Sequence, residues 1–385
     1  MKYKNLFVLS AIAVLIASCS KEAVKVPTVA NVFINNLEAN IIIHTEEQTS
    51  FINSDDPAQL IEDNTARYGN KSVEKPLPVS FSWREENDLD QKASKYILKI
   101  SENQYLDNAL EYTTKERSID VYNLKINTQY YYSVTSNHHG KLFDSEVLSF
   151  TIEDNAPRNI LVEGVENVRD LGGWNIGSNK KYKQGLIYRT AQFNINGYGT
   201  KYQSEPTKEG KNTLLNELKI KTEIDLRRTE AFDGTDEVGG ITASPLGKSV
   251  NYVSCPMFFG NRNIFTTSDN LNSIRLFFNT LANADNYPVA FHCLRGTDRT
   301  GALAYVLGAL VGMSSDDLML DYLFSDLANI GTPVRASSIN GSGFYVQGIA
   351  NSEGTSLSEK AKNYLYTTCG IESSILNQVI NNLTE

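Results

Sequence analysis

Residues 288–312, PVAFHCLRGTDRTGALAYVLGALVG, decide how the rest of the chain is read. Val289-Ala290-Phe291 is a short apolar run of the kind that forms a buried strand. Ala302, Leu303, Val306, Leu307, Leu310 and Val311 are spaced like the buried face of a helix. Between them lies a tight loop with Cys293 at its start and Arg299 at its end. A strand–loop–helix turn aims successive backbone N–H groups and the positive end of the helix dipole into one small concavity. The loop residues Leu294, Arg295, Gly296, Thr297 and Asp298 would line it. Such a concavity suits a phosphate dianion, and the same field favours the thiolate form of Cys293. Arg299 can add a two-pronged contact to phosphate oxygens. Thr300 lies close enough in sequence for its hydroxyl to donate to the sulfur. The plain alternative is a buried cysteine and a helix-start arginine with no chemistry.

The flanks extend the pattern. Residues 222–226 and 250–254 read as strands, and residues 207–218 and 268–281 as helices. The second helix carries Leu271, Ile274, Phe277, Phe278 and Leu281 on one face. Residues 314–317 read as a capping box for a further helix. Residues 331–354 are rich in Gly, Ser and Asn without a clear period, and two short helical patterns complete the chain. Strands alternating with helices predict an α/β fold: a mostly parallel sheet flanked by helices, with the Cys293 loop at a strand's carboxyl end.

His292, Cys293, Gly296, Arg299, Thr300 and Gly301, set between strand and helix, resemble the Cys-x5-Arg signature of the protein tyrosine phosphatase superfamily. Asn167-Val-Arg-Asp-Leu-Gly-Gly-Trp174, Gly185-Leu-Ile-Tyr-Arg-Thr190 and Ile224-Asp-Leu-Arg-Arg228 resemble segments of its bacterial group with broad specificity for phosphoproteins and lipids. The resemblance covers about residues 160–385. It implies covalent phosphoryl transfer through a phosphocysteine, with no metal and no other cofactor, since the loop supplies the positive field. Tyrosine phosphatases often carry their acid in a Trp-Pro-Asp loop, which this chain lacks. In the bacterial group the aspartate just before the signature arginine serves, and Asp298 stands there. A carboxyl beside a phosphate is expected to hold its proton tightly. Asp269 is the reserve acid, and the bland role for Asp298 is an ion pair with a nearby arginine. The group usually has lysine where Thr297 stands and a small residue where Arg295 stands, so positive charge is relocated.

The chain has only four histidines, His44, His138, His139 and His292. A Ser-His-Asp triad or a His-rich metal cluster around the Cys293 loop is therefore not expected. His292 is read as orienting the loop by hydrogen bonding, and His138-His139 as a solvated turn.

The first half reads differently. Residues 79–83, 96–100 and 148–152 alternate apolar and polar, and residues 124–134 resemble the corner of a fibronectin type III or immunoglobulin-like sandwich. There Tyr130 would close a turn with its hydroxyl, and Trp83 would sit in the core. Residues 39–44 make a plausible strand, and residues 45–74 read as loop or stalk. At the start, Lys2 and Lys4 precede an apolar run too short to span a membrane, and Ile16-Ala-Ser-Cys19 resembles a bacterial lipobox. Lipidation of Cys19 would anchor an exported protein to a membrane, on its periplasmic or cell-surface side. With Cys19 acylated, Cys255, Cys293 and Cys369 remain, an odd number that indicates no disulfide scaffold.

The expected organisation is a signal peptide at 1–18, a stalk and an all-β sandwich at 19–153, and a phosphatase-like domain at 154–385. A hydrophobic content of 41% argues for folded domains, and a net charge of -9 argues against nucleic-acid binding. Phosphorylated proteins, phosphoinositides and inositol phosphates are the candidate substrates. A surface module that binds phosphorylated ligands without turnover has no need of the thiol. A sulfur-transfer enzyme of the rhodanese type also uses a loop cysteine, but Arg299-Thr300-Gly301 at the helix start disfavours it.

Overall fold

Alternation along Val79-Ser-Phe-Ser-Trp-Arg-Glu is realised as a strand whose every second side chain, Val79, Phe81, Trp83 and Glu85, turns inward. The computed structural model describes residues 24–63, 73–177, 180–195, 204–228, 240–258, 268–330, 334–339 and 346–385. The signal and lipobox reading, Cys19 included, lies outside the described residues.

In chain order the first half contains β1 (Ala30–Ile34), β2 (Asn40–Ile41), α1 (Glu46–Ile52), α2 (Pro57–Asp63) and β3 (Val79–Asn87). Then come β4 (Lys95–Ser101), β5 (Leu110–Thr114), β6 (Ser118–Val121), β7 (Thr128–His138), β8 (Lys141–Asp144) and β9 (Leu148–Ile152). One sheet has the order β1-β3-β6, and the other β2-β9-β7-β4-β5 with β8 paired to β7. Aromatic rings fill the space between them: Phe81 of β3 lies edge-on to Tyr132 of β7 at 5.2 Å and to Phe150 of β9 at 5.8 Å. Such pairs add about 0.5–1.5 kcal/mol each beyond their buried area. Trp83 is buried 5.4 Å from the Tyr96 ring, and the Tyr130 hydroxyl accepts the Lys125 N–H at 2.8 Å.

Two expectations fail here. Residues 45–74 include α1 and α2 instead of plain loop. Thr45 and Gln48 form a capping box at the start of α1, and Phe51 is fully buried, 5.6 Å from Phe324. Polar composition hid these helices because each buries only a narrow stripe. His138 is likewise no solvated turn residue. It ends an 11-residue strand, is 2% exposed and is hydrogen-bonded to Glu85, while His139 makes the exposed turn.

The second half contains β10 (Arg158–Asn159), β11 (Arg169–Asp170), β12 (Asn175–Ile176), β13 (Lys180–Lys181), β14 (Ile187–Thr190), α3 (Lys208–Asn212), β15 (Thr222–Asp225), β16 (Asn251–Ser254) and α4 (Ser268–Ala282). It closes with β17 (Val289–His292), α5 (Asp298–Val311), α6 (Ser315–Leu323), α7 (Gln347–Ala350), α8 (Leu357–Asn363) and α9 (Ser373–Leu383). The main sheet runs β10-β11-β14-β17-β15-β16. Strands β14, β17, β15 and β16 are parallel, while β10 and β11 are antiparallel at one edge. This mixed sheet with helices is an α/β arrangement. Register pairs Thr190 and Asp225 with His292, and Asp225 with Ser254. The four carboxyl ends are therefore level, and the segments leaving those strands meet at one edge, the usual place for an α/β site. Helix α5 is buried along its whole length except Asp298, which marks it as a central helix.

Candidate active site

The Cys293 loop is held from outside by its carbonyls. The Cys293 carbonyl lies 3.1 Å from His292 Nδ1, and the Leu294 carbonyl accepts the Gln192 N–H at 3.1 Å. The Arg295 carbonyl accepts from Asn167 Nδ2 at 2.9 Å. Arg189 Nη2 donates to the Gly296 carbonyl at 2.8 Å and reaches that of Thr297 at 3.5 Å. In a trans peptide the C=O and the following N–H point opposite ways. Pulling five successive carbonyls outward turns the N–H groups of residues 294–298 the other way, which is how a loop becomes an anion cradle. Gly296 makes the turn possible. Its φ is +72°, and a Cβ there would stand 2.4 Å from the Thr190 carbonyl oxygen.

Behind the loop is a buried charge network. Asp321 of α6 accepts from Arg189 Nη1 at 2.5 Å and from Arg169 Nε at 3.2 Å, and Ser325 Oγ accepts from both guanidiniums. Arg169 also donates to Asn167 Oδ1. Burial, then the like charge of Arg189, push Arg169 down to about 10. Burial alone would raise Asp321, but Arg189 and Arg169 hold it below the usual carboxylate range. Helix α5 approaches this network closely: a Cβ on Gly301 would meet the Tyr322 ring at 2.8 Å and Arg189 Nη2 at 3.1 Å. Asp170 accepts from the Gly172 and Gly185 N–H groups and from Arg158, closing the turn that begins at Asn167.

On the other side of the loop, His292 Nε2 lies 3.0 Å from Glu223 Oε1, and Arg227 grips both oxygens of Asp225 at 2.9 and 2.7 Å. Glu223, Asp225 and His292 bring ligand atoms within 4.8 Å of one another, so they could in principle hold a metal ion. Their lone pairs are already engaged, however. Asp225 also accepts from Tyr252, and Glu223 also accepts from Ser244. A cation there would have to displace Arg227.

Most of the predicted site residues converge on this loop. Cys293, Leu294, Thr297 and Arg299 are buried, each 3–5% exposed, while Arg295 and Asp298 are half-buried. Arg299 Nη1 reaches the carbonyls of Leu226 and Met257 at 3.4 and 3.5 Å, beyond the ends of β15 and β16. Thr300 departs from expectation. Its hydroxyl is fully buried but makes no hydrogen bond among the described residues, to Cys293 or to any other group, so adjacency in sequence did not bring it to the sulfur. Asp269 stands exposed in the first turn of α4. It lines a cavity of about 430 Å³ with Arg228, Phe258 and Asn270. A larger cavity of about 750 Å³, between Tyr112, Lys125, Arg158 and Lys221, contains no residue of the Cys293 loop.

Residues 160–385 match the model of the tyrosine phosphatase family. The chain belongs to that family. No curated protein matches it. Among solved structures it is similar to the core catalytic domain of the PP-IP phosphatase SIW14 from S. cerevisiae in complex with citrate. The identity is 18%, over 45% of this chain and 79% of that one, with a TM-score of 0.27. A second structure of the Siw14 catalytic core gives 18% identity over 44% and 77%, with a TM-score of 0.26. At such scores the likeness bears on neither fold nor substrate.

The tyrosine phosphatase family gives the chain its coarse chemistry, that of a cysteine-based phosphatase. Several residues that shape this phosphatase site carry no motif. Asp321 could have been noticed as a charge among Leu318, Tyr322 and Ser325, on a face whose spacing is helical and buried. Glu74, which accepts the Asn167 N–H at 2.7 Å from the segment read as stalk, gave no signal at all.

Proposed function

We propose that this phosphatase hydrolyses phosphate monoesters of proteins, phosphotyrosine first and phosphoserine or phosphothreonine with it, through a phosphocysteine at Cys293. The observation that carries the reading is the outward tethering of carbonyls 293–297 between a buried cysteine and a buried arginine. The Cys293 sulfur attacks phosphorus, and the bond to the leaving oxygen breaks as Asp298 gives that oxygen a proton. Water then attacks phosphorus, Asp298 takes its proton, the S–P bond breaks, and phosphate leaves. The loop amides and Arg299 hold the equatorial oxygens in both steps. A second reading, phosphoinositides or inositol phosphates, is favoured by Arg295, which sets a further positive charge on the loop. A panel of phosphopeptides, phosphoinositides and inositol phosphates tests both. We expect turnover by the wild type, unaffected by chelator, and none by Cys293→Ser, which still binds vanadate. Full activity of Cys293→Ser would end the cysteine mechanism.

We further read residues 19–153 as stalk and fibronectin type III-like sandwich, supported by the facing sheets and the Tyr130 corner, with the catalytic domain from residue 154. A lipid at Cys19 would hold the protein at a bacterial membrane surface. No helix among the described residues is long and apolar enough to cross one. Cys19→Ala should move the protein to the soluble fraction; unchanged membrane fractionation would remove the anchor.

A further inference from the structure

Glu74 lies 86 residues before the start of the family match, in the segment whose sequence suggests a stalk. It is nevertheless buried, 7% exposed, and Glu74 Oε1 accepts the backbone N–H of Asn167 at 2.7 Å. Asn167 is fully buried with φ +58°, and its side chain donates to the Arg295 carbonyl of the Cys293 loop. Its N–H needs an acceptor inside the protein, and Glu74 supplies it.

The segment around Glu74 is fixed as firmly as the residue. Gln48 of α1, itself set by the Thr45 capping box, donates to the carbonyls on both sides of Glu74, those of Val73 and Lys75, at 3.0 and 3.1 Å. The Val73 N–H donates to the Leu327 carbonyl at 2.9 Å, and the Glu74 carbonyl accepts from Asn159 Nδ2 at 2.7 Å. We propose that Glu74 is a positioning residue for the phosphate cradle: it holds Asn167, which holds the Arg295 carbonyl, so a segment outside the family domain completes the site. Burial, together with the neighbouring Glu166 carboxyl, pushes Glu74 well above the usual carboxylate range. Glutamine, which keeps the acceptor oxygen without the charge, is therefore its fitting replacement.

The kinetic arm of the test rests on the phosphatase reading; the exchange arm does not. In the full chain, Glu74→Ala should lower kcat/KM for an aryl phosphate by about 10- to 100-fold through kcat, as expected for a loop displaced by about an ångström. Hydrogen exchange of the peptide spanning residues 293–299 should accelerate. Glu74→Gln should stay within about twofold of wild type in both readouts, and Glu74→Asp, which withdraws the acceptor by one methylene, should fall between. Should Glu74→Ala fail to fold, the Gln and Asp variants decide alone. Wild-type kinetics and exchange in Glu74→Ala, or Gln and Asp variants equally impaired, would overturn the proposal. A wild type that turns over no phosphate ester would count against the phosphatase reading, while the exchange data would still judge Glu74.

Discussion

His138 meets Glu85 between the sheets of the first half, and His292 meets Glu223 at the carboxyl edge of the second. All four side chains are essentially excluded from solvent. What separates the pairs is the rest of each surrounding. The His138 ring lies edge-on to Phe143 at 5.8 Å, and Glu85 takes a further bond from the Tyr96 hydroxyl at 2.9 Å. Burial would raise Glu85, yet bonds from His138 and Tyr96 hold it below the usual range. That pair is sealed inside a packed core. His292 turns its second ring nitrogen to the carbonyl of Cys293. The same two residue types therefore join two strands of a core in one place and set the Cys293 peptide in the other. Role is decided by the second contact.

The widest gap between the halves is the charge buried behind the loop, and removing it should have the largest effect. Asp321→Asn leaves two buried guanidiniums uncompensated and should cost about 3–5 kcal/mol in urea denaturation, with turnover lost as well. Because Asp321 is depressed in the folded state, its contribution is present above the unfolded value near about pH 4 and is lost as pH falls through the lower folded value. The variant should lack that acid limb. Wild-type stability in Asp321→Asn would mean that the network does not hold the loop.

Smaller effects are expected at the two histidines. His138→Ala should lose about 1–3 kcal/mol, the cost of an unsatisfied buried partner, with kcat per folded molecule unchanged. His292→Ala should lose a similar stability and also about tenfold or more in kcat, because the Cys293 carbonyl is released. If both variants lower kcat alike, the distinction between the pairs collapses.

The loop could be read in the sequence because a tight turn from strand to helix sets particular residue types at fixed short spacing, with Gly296 at its positive φ between Cys293 and Arg299. Strands β3, β4, β9, β15 and β17 could be read because alternation or a continuous apolar run reports burial locally. The supports could not. Asp321 meets Arg189 across 132 positions and Glu74 meets Asn167 across 93, distances over which no periodicity carries information. His138 was misjudged because adjacency to His139 suggested a turn, whereas β7 runs on past the 124–134 segment to His138 and buries it. Thr300 shows the converse, a neighbour in sequence with no bond to the sulfur.

Rapid chemical quench with an activated aryl phosphate, coupled to mass analysis of the peptide containing Cys293, tests whether the phosphoryl group passes through that cysteine. Such a substrate needs little protonation to leave, so Asp298→Asn should still form the intermediate but hydrolyse it slowly. A phosphoryl group should appear on Cys293, accumulating in Asp298→Asn above the wild-type level, while turnover of poor leaving groups falls by about 10²–10⁴. A burst of product with the phosphoryl group on another residue, or with Cys293 unmodified in both proteins, would contradict it.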